Sequence, residues 1–514
     1  MGIEIAYENL FMGQAFAYED LLMKVDSYIK SHSRKTPQRI ALEEGKKSIS
    51  YSCLEEDINA IAFSLIDFKH CRFGILSESS IHYIKALMAI YRSENIAVPL
   101  PIEFPKFSLE RILDTADINN MIATETQYLR FGKNFFERFG TVLILSNDIL
   151  VKVLHRKVKA ERNNPYLRLV LYTSGTTGFP KGVMLSDRNL IANAESIIDV
   201  IGINSNDKAA LVIPPHHAFG NSIIDSHLIA GGAIKIGSMN FVDSVFGLVE
   251  SGVTIFYGVP STYRILLRYP ERFRKAFCNV RLAASAGGGM DALALKHLHE
   301  LNPRMGILPM YGQTEATARL AYLPQEDVFR FPDTIGKAIP GVVLDVFGED
   351  NSPVGSNSPG ELVARGENIM LGYLGDEAAS QKKVIDGWMH TGDLAQRLPN
   401  GYFRLLGRKD ELLKIGDHRI NPREIEKLIE NNNEVSRVFV VPVFHELLGN
   451  AISLMVIPVD GTRQDTLLAF CRKNLPGYVY PVEILFIEDL PLTENGKISN
   501  LSILEEYRNA KSSM

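Results

Sequence analysis

At 514 residues the chain is too long for one core and implies about two to four domain-sized units of ~100–200 residues each. A hydrophobic share of 46% with 22% charged residues is that of a globular protein, and a net charge of −5 gives no electrostatic basis for binding nucleic acid or an anionic membrane surface. Cys53, Cys71, Cys278 and Cys471 lie far apart and form no CxxC pair, so reduced thiols in a cytoplasmic protein are expected rather than a disulfide framework or a zinc site. The opening MGIEIAYENLF does not read as a secretory signal, and Ala6 stands where a myristoylation start needs Ser or Thr. With no run of about 18 uncharged apolar residues, no membrane-spanning helix is expected.

Along the first ~170 residues short apolar runs alternate with amphipathic segments. RFGILS (72–77) and NIAVPL (95–100) read as buried strands, and IHYIKALMAIYR (81–92) between them has helical periodicity. Such alternation predicts mostly parallel sheets covered by helices. It recurs at LRLVLYT (167–173), ALVIP (210–214), GAIKIG (232–237), TIFYGVP (254–260) and RLAASAGGG (281–289). Near residue 332 the character changes. Gly and Pro become frequent, and LDVFGED (344–350), GELVARG (360–366) and GYFRLLGR (401–408) read as the strands of a smaller β subdomain. Beyond Arg408 a helix (422–432), strands at 435–444 and 450–459, a helix near 465–474 and a strand at 484–490 form an α+β unit. The predicted organisation is therefore a large N-terminal domain, residues 1–409, and a C-terminal domain, residues 410–514.

Four segments carry chemistry. Tyr172–Gly182, YTSGTTGFPKG, follows a strand and packs three glycines, four Ser/Thr residues and Lys181 into eleven positions. Its backbone N–H groups, hydroxyls and ammonium suit phosphate oxygens, although the spacing is not that of a Walker A loop. In Tyr311-Gly-Gln-Thr-Glu-Ala-Thr317 an aromatic face could stack on a base and Glu315 could hold Mg2+; a capped helix start would look similar. His390-Thr-Gly-Asp393 precedes Arg408 by a short hairpin's length, and Asp393 could accept from ribose hydroxyls or simply close a turn. Pro491-Leu-Thr-Glu-Asn-Gly-Lys497 puts a lysine after a turn, where it is usually solvated.

Taken together and in order, TSGTTGFPKG, YGQTEAT, TGD, GRKD and NGK resemble the adenylate-forming, AMP-binding enzyme family: acyl-CoA synthetases, 4-coumarate ligases, luciferases and peptide-synthetase adenylation domains. The resemblance runs from about Arg39 to Leu504. It implies an α/β fold: an N-terminal domain of three subdomains, two parallel-rich sheets plus a small β subdomain, and a mobile α+β C-terminal lid hinged at Asp410. It implies that Thr173, Ser174, Gly175, Thr176, Thr177, Gly178 and Lys181 form the phosphate loop, and that Gly287 and Gly288 line the adenine pocket. Tyr311 and Gly312 would meet the adenine, Thr314 a phosphate and Glu315 the Mg2+; Asp393 and Arg408 would bind ribose, and Lys497 would bridge the substrate carboxylate and the α-phosphate. The implied reaction is attack of a carboxylate on ATP, release of pyrophosphate, and transfer of the acyl group to the thiol of CoA or of a carrier protein's phosphopantetheine.

Pro214-Pro-His-His217-Ala-Phe219 resembles the family's segment beside the acyl pocket, with Phe219 where amino-acid-activating relatives often carry Asp. An uncharged wall there disfavours an α-amino acid, since a buried ammonium needs a partner; Asp225, further on, reopens the question. His216 and His217 are expected to face apart on a strand, as core or pocket residues rather than metal ligands. Lys414, Gly416 and Asp417 belong by resemblance to the thioester step, and Asp417 replaces a usual glycine beside the pantetheine path. That leaves two acceptors open, CoA and an acyl or peptidyl carrier protein. A stand-alone enzyme loading an amino acid onto a carrier protein and a non-catalytic nucleotide-binding protein are the alternatives.

Overall fold

In the computed structural model Ser80 starts the helix Ile81–Arg92, its hydroxyl accepting from the N–H of Tyr83. That helix is buried on nearly every side, which its apolar sequence allows because it lies inside the protein rather than on it. The helix Asp187–Ile201 opens on a capping box between Ser186 and Asn189 and closes on Gly202 at φ 66°. The structure describes residues 24–102, 106–146, 149–156, 164–173, 180–238, 241–409, 413–415, 418–420, 422–445, 449–475, 477–488 and 500–512. Contacts divide the chain into two units, Met1–Leu344 with Ala364–Met389, and Asp345–Val363 with His390–Met514.

The strands of the first unit, in chain order, are β1 (Ile40–Glu44), β2 (Lys47–Ser50), β3 (Arg72–Leu76), β4 (Ile96–Pro99), β5 (Asn120–Thr124), β6 (Thr141–Ser146), β7 (Ile149–Arg156) and β8 (Leu167–Thr173). They continue with β9 (Lys181–Ser186), β10 (Lys208–Leu211), β11 (Ala233–Ile236), β12 (Ile255–Gly258), β13 (Leu282–Ser285), β14 (Gly306–Tyr311), β15 (Ala321–Tyr322) and β16 (Lys337–Ala338). One sheet runs β16-β15-β14-β13-β12-β10-β11-β1-β2, and the other runs Gly372–Tyr373, then β9-β8-β4-β3-β5-β6-β7. Both are parallel in the middle and antiparallel at the edges. The α/β reading with two parallel-rich sheets is borne out. In the first sheet β11 and β12 flank β10, so the strand order reverses direction beside β10. In open α/β sheets, ligands bind at the carboxyl ends of the strands at such a point.

The run 210–214 ends as a strand one residue after it begins. β10 stops at Leu211, because neither Pro214 nor Pro215 can donate to a ladder, and the chain turns into the helix Ala218–Ala230. That turn sits hard against the helix: a Cβ on Gly220 would lie 2.4 Å from the carbonyl oxygen of Pro214.

In the second unit Asp393 in the strand Trp388–Arg397 pairs antiparallel with Arg408 in Phe403–Arg408. Further on, Val435–His445 and Gly449–Pro458 form a long antiparallel pair, and Ile484–Phe486 adds a strand parallel to the second of these. The helices Pro422–Glu430 and Gln464–Asn474 bury Ile425, Ile429 and Leu467 in one core; Tyr507 of the helix Asn500–Ser512 packs in another. The expected α+β terminal unit is thus present. All four cysteines are free, and among the described residues no helix is long and apolar enough to cross a membrane.

Two glycines separate packing from chain entropy. Gly220→Ala forces the helix start away from Pro214 and is expected to lower the thermal midpoint, at a cost of about 1–3 kcal/mol. Gly247, in the helix Val242–Glu250, has nothing within 4 Å of a Cβ, and Gly247→Ala is expected to raise the midpoint by up to ~1 kcal/mol of stability. Calorimetry on both variants checks this, and a midpoint for Gly220→Ala at or above the parent's contradicts the packing account.

Candidate active site

The β8–β9 hairpin sets Thr173 and Lys181 opposite each other in register, so the phosphate-loop candidates between them leave and re-enter the sheet at one point. Ser174, Gly175, Thr176, Thr177 and Gly178 lie outside the described residues, as do Asp410, Gly416, Asp417 and Lys497. Arg168, at the buried start of β8, is held by Asp187 at 2.9 Å, which anchors the hairpin from below.

Tyr373 joins two of the candidates. Residues Gly372–Tyr373 pair antiparallel with β9, Tyr373 opposite Val183. Its ring lies under the ammonium of Lys181, 4.9 Å from ring centroid to Nζ, and its hydroxyl donates to Oε1 of Glu315 at 2.7 Å. A cation, an aromatic ring and a carboxylate therefore stand in a row. Sequence reading passed over Tyr373. It sits in Leu371-Gly-Tyr-Leu374, which carries no motif, and only strand pairing brings it to Lys181.

The Tyr311 segment is not the capped helix start that its sequence also allowed. Thr314–Ala316 form a single 3-10 turn, and Gln313 makes no side-chain cap. Tyr311 ends β14 and is half-buried. Gly312 is required where it stands, since a Cβ would fall 1.8 Å from the carbonyl oxygen of Ala318. Thr317 adopts φ 65°, a left-handed backbone that costs a β-branched residue of order 1–3 kcal/mol. The surroundings hold it there: Thr317 Oγ1 donates to the carbonyl of Asn368 at 2.7 Å, and Asn368 Nδ2 donates to the carbonyls of Ala316 and Arg319. Met370 N–H caps the carbonyl of Glu315 at 2.9 Å, and Lys383 donates to Gln313 at 3.0 Å. Gly287, at φ 83°, and Gly288 follow β13 as an exposed turn.

The acyl-pocket candidates sit at the carboxyl end of β10. His217 precedes the first residue of the helix Ala218–Ala230, and Phe219 lies in that helix's first turn. His216 and His217 do not face apart on a strand, because β10 has already ended; their rings are neighbours, with centroids 4.2 Å apart. Burial pushes the His216 imidazole down to about 4, which keeps it neutral. Among the described residues no group of three or more His, Cys, Asp or Glu could hold a metal. Asp225 is buried and its pKa is raised well above normal by burial, although a hydrogen bond from Asn221 at 2.7 Å opposes this. The wall expected to be uncharged carries a cation: the guanidinium of Arg319 lies 4.0 Å from the Phe219 ring centroid. Arg319 was also missed, though a charged residue inside Ala-Arg-Leu-Ala is a signal that sequence offers.

In the second unit Arg408 donates to Asp393 at 3.2 Å across the hairpin. Gly392, at φ 79°, makes room for the guanidinium. Glu361 accepts from the backbone N–H of Gly392 at 3.0 Å and from Lys409 at 2.8 Å, and it pairs with His390 at 3.1 Å. Burial opposes its ionisation, but the bonds from Lys409 and His390 outweigh burial and hold its carboxyl below the usual range. Lys414 lies in the strand Leu413–Ile415, opposite Arg419.

The hairpin that carries Lys181, the half-buried Tyr311 at a strand end, and the Glu315 carboxylate bonded to the Tyr373 that lies against Lys181 suit a nucleotide-handling enzyme of the parallel α/β type. Residues 29–374 match the model of the AMP-binding enzyme family and residues 424–497 that of the AMP-binding enzyme C-terminal domain. The chain belongs to the AMP-binding enzyme family, and it is an adenylate-forming enzyme of the acid–thiol ligase class. It is 26% identical to an indoleacetate–CoA ligase of Aromatoleum aromaticum, the match covering 93% of this chain and 96% of the relative. It is 28% identical to a feruloyl-CoA synthase of an Amycolatopsis species, over 91% and 95%. The structure of ATP-bound MatB from Rhodopseudomonas palustris superposes with a TM-score of 0.82 at 23% identity, over 95% and 99%.

Tyr373→Phe keeps the ring under Lys181 and removes only the bond to Glu315. Acid-dependent pyrophosphate release is expected to fall about tenfold, the equivalent of one charge-assisted hydrogen bond, with the thermal midpoint nearly unchanged. Undiminished release in steady-state kinetics contradicts a role for this bond.

Proposed function

We propose that this enzyme joins a small organic carboxylic acid to ATP, releases pyrophosphate, and passes the acyl group from AMP to a thiol. The row Lys181–Tyr373–Glu315 carries this reading, because it sets a positive charge and an oxygen ligand at the mouth of the phosphate-loop hairpin. A carboxylate is a poor electrophile until one oxygen becomes a good leaving group. Attack of that oxygen on the α-phosphorus forms a mixed anhydride and breaks the bond to pyrophosphate. Two anions must approach each other, so charge neutralisation dominates the barrier.

Lys181 neutralises phosphate charge and Thr314 offers a hydroxyl to it. Glu315 has a half-buried carboxylate with one oxygen engaged by Tyr373, which suits a hard cation that keeps most of its own waters and takes one protein carboxylate. Mg2+ held there supplies further positive charge to the phosphates. Tyr311 presents its face to adenine. Asp393 and Arg408 serve the ribose hydroxyls, and Lys497 meets the attacking carboxylate. These roles rest on the family resemblance together with the local geometry of each group.

The acceptor thiol is CoA, as the names of the two relatives suggest, or a carrier protein's phosphopantetheine. Asp417 is the feature that favours the second, since a carboxylate there repels the several phosphates of CoA more than the single phosphodiester of a carrier protein's arm.

Acid-dependent pyrophosphate release, measured with and without CoA, tests both parts. Release that CoA accelerates, with acyl-CoA accumulating, supports the first acceptor; adenylate formation indifferent to CoA points to a carrier protein. No AMP from any acid would leave a non-catalytic nucleotide-binding protein. Lys497→Ala is expected to slow adenylate formation about a hundredfold or more while leaving thiol capture from supplied acyl-adenylate largely intact. Equal loss in both half-reactions contradicts the role given to Lys497.

A further inference from the structure

Arg319 has only 3% of its surface exposed. Its backbone is fixed from two sides, by Asn193, which accepts from its N–H at 3.2 Å and donates to its carbonyl at 2.9 Å, and by Asn368, which donates to the same carbonyl at 3.0 Å. Other inward-lying arginines meet carboxylates: Arg92 meets Asp26 and Glu55, and Arg168 meets Asp187. Arg319 has no carboxylate partner among the described residues, and its Nε is buried without a hydrogen bond. Among the described residues, the ring that lies over its guanidinium is that of the half-buried Phe219. Burial brings its pKa down to about 10, so it is still a cation at neutral pH. A buried cation balanced only by a ring is a costly arrangement for a structural role.

The neighbourhood suits an anion. Tyr257, on β12, is within electrostatic reach of Arg319, and its buried hydroxyl has no hydrogen-bond partner among the described residues. The Tyr257 ring meets Phe219 edge-on at 6.2 Å and His227 edge-on at 5.7 Å. His227 is pushed down to about 4 by burial and is neutral, so it brings no competing charge. Asp225, whose pKa burial raises, accepts from Asn221 at 2.7 Å, and among the described residues no ion pair joins it to Arg319. Phe219 and Tyr257 belong to the segments at β10 and β12, where the strand order reverses.

We propose that Arg319 is an anion-binding specificity residue of the acid pocket, and that the substrate is a dicarboxylic acid whose second, unreacted carboxylate pairs with this guanidinium and accepts from the Tyr257 hydroxyl. The proposal rests on the adenylation reading and adds the substrate class. It also opposes an α-amino acid, whose ammonium would meet a like charge.

The full-length enzyme is tested by pyrophosphate release with dicarboxylic acids of increasing length, each beside its monomethyl ester, in which the distal charge alone is removed. The diacid is expected to exceed its monoester by at least about a hundredfold in kcat/KM, because the ester leaves a buried charge unpaired. Arg319→Met is expected to collapse that ratio towards one while leaving the KM for ATP unchanged. The wild-type ratio stands as a test even if the variant does not fold. A monoester or simple monocarboxylic acid preferred by the wild type, or a ratio unmoved in a folded Arg319→Met enzyme, overturns the dicarboxylate assignment and leaves adenylation intact. Release with no acid of either kind overturns the adenylation reading and this inference with it.

Discussion

The pairing of Gly372–Tyr373 with β9 is the constraint on which the proposed nucleotide end of this enzyme depends. It is a two-residue strand, yet it fixes where the Tyr373 ring and hydroxyl lie. Through them it fixes the separation of Lys181 from Glu315. Without that strand the lysine would sit on a hairpin and the carboxylate on a 3-10 turn, with nothing common to position them. Electrostatic catalysis requires charges placed before the substrate arrives, and under the proposed function an edge of a sheet does the placing.

The same region accepts two unfavourable features. Thr317 holds a left-handed backbone, and Arg319 holds a buried charge two residues later. Both are fastened by Asn368, which bonds to the carbonyls of Ala316 and Arg319 and receives the Thr317 hydroxyl. A strained backbone and a buried charge two residues apart, both over-determined by their surroundings, are features that functional sites concentrate. The pairing of Glu361 with Lys409 and His390 plays a comparable fixing part in the second unit, beside the Asp393–Arg408 hairpin.

Much of the fold was legible because its signals are local. Apolar runs with turn residues at their ends became β3, β4, β8, β12 and β13 close to their predicted limits, and the helices Ile81–Arg92 and Pro422–Glu430 followed from their periodicity. The stretch 210–214 was read too long as a strand since its apolar character outlasts its ladder; two prolines end it. That error also misplaced His216 and His217, whose rings adjoin in a turn. The site divided in the same way. Residues in contiguous motifs, such as Lys181, Tyr311, Glu315 and Asp393, could be picked out from chemistry and order. Tyr373 could not, because what makes it significant is Lys181, 192 residues away; Arg319 stood out only as a charge among apolar residues, and its neighbour Phe219 lies 100 residues away.

The central claim is that a carboxylate oxygen attacks the α-phosphorus of ATP. It is tested most directly by following the oxygen itself. An acid carrying heavy oxygen in its carboxylate is turned over with ATP and an acceptor thiol, and the products are examined by mass spectrometry. The account predicts one labelled oxygen in AMP and none in pyrophosphate, since the anhydride oxygen leaves with the nucleotide. Label in inorganic phosphate, with ADP in place of AMP, would show attack at the γ-phosphorus and an acyl phosphate, and would contradict the account.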